Sequence, residues 1–252
     1  MSFQVALRKE LLEQWRTTRL LIVVVVFLAL GLSSPLLARL TPELMKLVPG
    51  GEAFVPLIPA PTAADAVAQY VKNLSQFGVV LALLMAMGAL ALEKDKGTLA
   101  LIVVKPMPRG AIVAAKFAAL ATSFAIATAL AAAAGYYYTW VLFGSVEVAG
   151  WALLNVLLWL FFLVYTAVTL LASAITRSQV AAGGLGFAAV VTLSVAGSLP
   201  RVGEYFPGQL LVWGATRMTG SEVRSWPALV VSVAIVLGSL VLASVALQHQ
   251  EL

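Results

Sequence analysis

The sequence predicts an all-α, polytopic membrane protein with six transmembrane helices and an N-terminal amphipathic interfacial helix. Three observations carry that expectation. The chain has 252 residues, of which 62% are hydrophobic and only 11% charged, with a mean hydropathy of +0.99. A soluble domain carries about 25% charged residues, so no ordinary aqueous surface can be assembled from this chain. Several apolar runs also reach the roughly 20 residues that a helix needs to cross a bilayer core of about 30 Å. Finally, runs such as Leu20 to Leu30 and Ala111 to Ala134 do not alternate apolar with polar residues, which excludes the strands of a membrane barrel.

At the N-terminus, residues 2–19 read as the interfacial helix. Phe3, Leu7, Leu11 and Trp15 recur every fourth residue and share one helical face. Arg8, Lys9, Glu13, Arg16 and Arg19 fall on the other side, and Trp15 suits the headgroup zone. A plain topology anchor fits these residues equally well. Glu10 and Glu13 in the flank argue against a cleaved signal peptide, as do the length of the first apolar run and the lack of a clear small-x-small site.

The six spans are drawn at about 20–38, 74–92, 117–135, 151–171, 180–199 and 227–247. Residues 39–73 form a long outer loop that contains Pro42, Pro49, Pro56, Pro59 and Pro61. Proline fixes φ and removes a donor, so the middle of this loop is expected to be irregular, with a helix resuming from Thr62 and Asp65 near its start. The segment Gly135 to Gly150 carries Tyr136, Tyr137, Tyr138 and Trp140 and reads as an interfacial aromatic belt, substrate contact being the alternative. In the last outer connection, Gln209 to Ala215 is apolar enough to dip into the membrane.

Orientation follows from lysine and arginine. Arg8, Lys9, Arg16, Arg19, Lys94, Lys96, Lys105, Arg109, Lys116 and Arg177 fall on one side of the drawn topology. Arg39, Lys46, Lys72, Arg201, Arg217 and Arg224 fall on the other, spread over longer loops. The richer side is expected to be cytoplasmic, which places both termini and the 93–116 loop there. The formal charge of +5 is thus a topology signal, with no basic stripe or stacking platform for nucleic acid.

Function is constrained mainly by what the drawn spans lack. None of them contains Asp, Glu, Lys, Arg or His, whereas ion-coupled carriers generally use an intramembrane carboxylate or an unwound polar site. There is no cysteine and the single histidine, His249, lies in the tail. Haem ligation, a zinc site and a Ser-His dyad are therefore disfavoured. No GxxxxGK[ST] loop occurs, so the chain is not expected to hydrolyse ATP by itself, and no cofactor or metal is expected.

Between the second and third spans the sequence runs Glu93-Lys94-Asp95-Lys96-Gly97-Thr98-Leu99, continues through Leu101 and Ile102 to Pro106-Met107-Pro108-Arg109, and reaches Lys116. Gly97 permits a sharp turn, Thr98 can cap a helix, and Pro106 ends that helix after about two turns. The product is a short apolar element between charged borders, which must bury its apolar side against lipid headgroups or another protein.

This run resembles the first cytoplasmic loop of ABC type 2 transporter permeases, small six-span subunits with an N-terminal amphipathic helix and a long first outer loop. Val103, Val104 and Lys105 depart from the small or polar residues commoner before the proline. The resemblance implies that Glu93, Lys94, Asp95, Lys96, Gly97, Thr98, Leu99, Leu101, Ile102, Pro106 and Arg109 couple the chain to an ATP-binding subunit. It further implies two copies of that ATPase, a second permease (identical or a relative), and a cavity lined by the second and fifth spans. The implied function is ATP-driven export of an amphipathic or hydrophobic substrate by alternating access, across what is expected to be a prokaryotic plasma membrane. The alternative is a non-transporting membrane anchor or assembly factor of a partner complex.

Overall fold

The computed structural model describes residues 3–50, 52–53, 59–97, 108–144, 146–218 and 224–250. Among the described residues every regular element is a helix. In chain order these are α1 (Phe3–Arg16), α2 (Arg19–Lys46), α3 (Ala63–Met87), α4 (Ala91–Asp95), α5 (Arg109–Phe143), α6 (Val148–Ile175), α7 (Gln179–Ser198), a 3-10 turn at Gly203–Tyr205, α8 (Gly208–Met218) and α9 (Trp226–Gln248). Among the described residues, six helical segments, α3 and α4 forming one of them, are long and apolar enough to cross a membrane. Residues 9, 93, 94, 109 and 250 meet through side-chain contacts, so the first and last described residues lie at the end of the bundle where α4 ends and α5 begins.

Helices run past the drawn spans. α2 passes Ala38 and reaches Lys46 despite Pro35 and Pro42 inside it, and α5 is 35 residues long, roughly 52 Å at 1.5 Å per residue. Residues 109–116, expected as loop, are the first two turns of α5. Pro108 occupies its N-cap, and no breaker follows in the alanine-rich run. The Thr62 expectation is met in detail: its hydroxyl and the Asp65 carboxylate form a reciprocal capping box that starts α3. Tyr136 to Trp140 lie on the last turns of α5 rather than beyond it. Tyr136 turns inward onto Trp151, whereas Tyr137 and Trp140 face outward. Gln209–Ala215 lies in α8, whose Leu210, Trp213 and Gly214 pack against α6.

α6 is the central helix and α7 the peripheral one. Of the most apolar stretch of each, 72% of α6 and 11% of α7 is buried. Lipid tails are as apolar as leucine, so close fit rather than water exclusion must hold such a bundle. Two glycines show how that fit is reached. A Cβ on Gly31 would lie 2.7 Å from the Ala131 carbonyl oxygen, so α2 and α5 meet backbone to backbone. A Cβ on Gly78 would lie 2.2 Å from the Phe162 ring, which sits against Phe27 and Phe124 at centroid distances of 5.2 and 5.7 Å. Interhelical hydrogen bonds fix register toward the opposite end. Tyr70 donates to Asn155 Oδ1 at 2.6 Å, Trp151 Nε1 donates to the Ala132 carbonyl at 3.0 Å, and Asn73 Nδ2 donates to Ser34 Oγ at 2.9 Å.

Candidate functional site

At the loop-bearing end, five charged side chains converge from three elements. Lys116 of α5, 3% exposed, donates to Glu93 of α4 at 2.7 Å and to Glu10 of α1 at 3.1 Å. Lys9 pairs with Glu10 at 3.0 Å and with Glu13 and Glu93 at 3.5 Å. Burial by itself would lower the Lys9 ammonium, but the surrounding carboxylates, Glu10 foremost, hold it above its ordinary range. Alongside, Ser123 hydrogen-bonds Gln14, and a cavity of about 50 Å³ opens between Glu10, Gly88, Glu93 and Lys116. Glu10, Glu13 and Glu93 bring carboxylate oxygens within 4.8 Å of one another. Lys9 and Lys116 are set among them and pair with all three carboxylates, so the cluster reads as an ion-pair network. Buried pairs of this kind bring little net stability but penalise any arrangement that separates them, which suits a junction that must keep one geometry.

The network also shows which side of α1 meets the bundle. Phe3 (43% exposed) and Trp15 (71%) face away from the protein, with Leu7 and Leu11 half-buried. The line that meets α5 is Ala6, Glu10 and Gln14, which recur at the same four-residue spacing. That polar line was the available signal, masked by a neighbouring apolar stripe. Lys116 likewise falls one residue before the drawn third span, yet it sits about two turns inside α5.

Next to the network, the second membrane segment is interrupted. α3 stops at Met87 and α4 resumes at Ala91. The Ser173 hydroxyl of α6, fully buried, spans this break. It donates to the Met87 carbonyl at 2.8 Å and accepts from the Leu90 and Ala91 amides at 3.0 and 2.9 Å. One hydroxyl has one donor and two acceptor sites, and all three are used.

The two ends of the segment that joins α4 to α5 are each tied to a helix C-terminus. Lys94 donates to the carbonyls of Ala174 and Thr176, the latter at 2.8 Å, and so caps α6. Arg109 donates to the carbonyls of Leu247, Gln248 and Gln250, the last two at 3.0 and 2.9 Å, and so caps α9. A cation at a helix C-terminus satisfies orphan carbonyls and opposes the negative end of the dipole. Asp95, Lys96 and Gly97 are exposed, and Gly97 takes φ 67°, the left-handed turn that glycine adopts without strain. Thr98, Leu99, Leu101, Ile102 and Pro106 lie outside the described residues.

Toward the opposite face, α3 and α7 flank a groove of about 300 Å³ floored by α6. Val79, Phe161 and Val190 give it apolar walls, and Ser75, Gln76, Tyr165 and Ser194 give it polar ones.

The family model for the ABC-2 family transporter protein matches residues 4–206, from α1 through the 3-10 turn. The chain belongs to this family. It is a transmembrane component of a transporter, and the family's permeases are the membrane part of such machines rather than the ATPase. The chain is also 26% identical over 210 residues to YxlG of Bacillus subtilis (strain 168), described as an uncharacterized transmembrane protein, covering 81% of this chain and 80% of that one. Members of the ABC-2 family generally work with an ATP-binding subunit and are often dimeric. The charged network, the spliced α3–α4 break and the two capped stems lie together at one end of the bundle, between α4 and the start of α5.

Proposed function

We propose that this chain is the permease of an ATP-driven exporter, with the 93–109 segment as the place where a separate ATPase pushes. The observation that carries the proposal is that both stems of this segment are tied to other helices, through Lys94 to α6 and Arg109 to α9, while Glu93 is ion-paired to α5. A loop held in this way moves the bundle when it is pushed; a loop free at its stems would only bend. The family relationship supplies the expected partner, two ATP-binding subunits and a second permease.

In this reading the loop-bearing end is cytoplasmic, as the lysine and arginine bias supports. Phe3, Leu7, Leu11 and Trp15 of α1 rest in the headgroup layer, and α1 relays the same push through Glu10. The groove between α3 and α7 faces the second permease and contributes one wall of the substrate path. Its apolar walls with scattered hydroxyl and amide groups suit an amphipathic or hydrophobic substrate. Export then follows as the two permeases close on the loop-bearing side and open on the other.

Affinity purification of the chain from its native membrane tests this reading. A Walker-motif ATPase is expected to copurify, and its hydrolysis rate is expected to change on reconstitution with the chain. Recovery of a stable assembly that contains no nucleotide-hydrolysing subunit contradicts the proposal and favours the anchor alternative.

A further inference from the structure

The tail residue Gln250 touches both stems of the loop at once. Its Oε1 accepts from Lys94 at 3.0 Å, its main-chain carbonyl accepts from Arg109 at 2.9 Å, and its Nε2 donates to the Ala174 carbonyl at 3.0 Å. The Ala174 carbonyl also accepts from Lys94, so Lys94, Gln250 and the last turn of α6 close a ring of hydrogen bonds. Arg109 joins the ring to the last turn of α9. Apolar packing lies beneath the ring and not within it. Leu247, the nearest buried apolar residue of the tail, packs into the cluster of Leu90, Ile112 and Leu170 beneath the ring.

The geometry points to Gln250 as a clasp: it locks the two stems of the 96–108 loop together onto the ends of α6 and α9, making those two helices the receivers of any displacement of the loop. α6 and α9 pack along each other, through Leu163, Val164 and Ala167 against Val236, so they move as one body. The ring is built from directional, partly buried bonds, each modest in net worth because it replaces a bond to water; it holds a distance without adding much to overall stability. Gln250 is accordingly a positioning residue, whose contribution to transport rests on the function proposed above but whose geometric role does not.

The chain contains no cysteine, so spin labels can be placed at Lys96→Cys and His249→Cys without background. In the isolated protein in nanodiscs, the label-to-label distance is expected to be narrowly distributed, and Gln250→Ala is expected to broaden it. In the complex with its ATPase, Gln250→Ala is expected to lower transport per ATP hydrolysed several-fold while the hydrolysis rate stays near its starting value. A narrow distribution that survives Gln250→Ala, or an unchanged ratio of transport to hydrolysis, overturns the clasp. Failure of any ATPase to bind the wild-type chain would instead count against the proposed function, and the distance measurement on the isolated protein would still decide the clasp.

Discussion

Glu93→Lys is expected to disrupt the loop-bearing end more than any other single charge change. It replaces the carboxylate nearest Lys116 with an ammonium, beside a lysine that is 3% exposed and within reach of Lys9. Two like charges about 4 Å apart repel by ~4 kcal/mol at an effective dielectric near 20. Loss of one partner from a buried pair costs about 3–5 kcal/mol on its own. The burial of Lys116 implies that the change detaches α1 and α4 from α5. The measurement is a double-mutant cycle on thermal stability in detergent. Glu93→Leu combined with Lys116→Met, which leaves Glu10 to Lys9, is expected to be more stable than either single variant. Additive losses would show that Glu93 and Lys116 do not act as a pair.

Ser173→Ala is expected to produce the second large effect, confined to the α3–α4 break. It leaves the Leu90 and Ala91 amides and the Met87 carbonyl without the partner each now has at 2.8–3.0 Å. An unsatisfied buried backbone group costs about 1–3 kcal/mol, so a local penalty of ~3 kcal/mol is a conservative sum. Hydrogen exchange at residues 88–91 is expected to speed up by about two orders of magnitude, with α6 itself still protected. Unaltered protection at those amides would mean that the break is held by the packing of Gly88 on Gln179 and of Gly183 on Met87 rather than by the hydroxyl.

Hydropathy made the helix count legible because a membrane segment announces itself within one stretch of chain. Local chemistry was legible too: Thr62 and Asp65 lie three residues apart and cap α3 as their types require. The functional end was not legible in the same way, because its bonds join residues far apart in sequence. Lys94 reaches Thr176 across 82 positions and Arg109 reaches Gln250 across 141. Nothing near Ser173 in sequence marks the break in α3 that its hydroxyl spans. Lys116 reads from the sequence as loop and not as helix for a different reason. Drawn boundaries stop where charge begins, and a helix continues through a charge wherever the bundle supplies a counter-ion, as Glu10 and Glu93 do here.

Reconstitution into liposomes, with and without the ATP-binding subunit, puts the energy source itself on trial. Substrate accumulation should require ATP and the second subunit, and imposed proton or sodium gradients across vesicles holding only this chain should drive none. Gradient-driven uptake by the chain alone would contradict the account, because it would place the driving site within the bundle and leave the network at its loop-bearing end a purely structural feature.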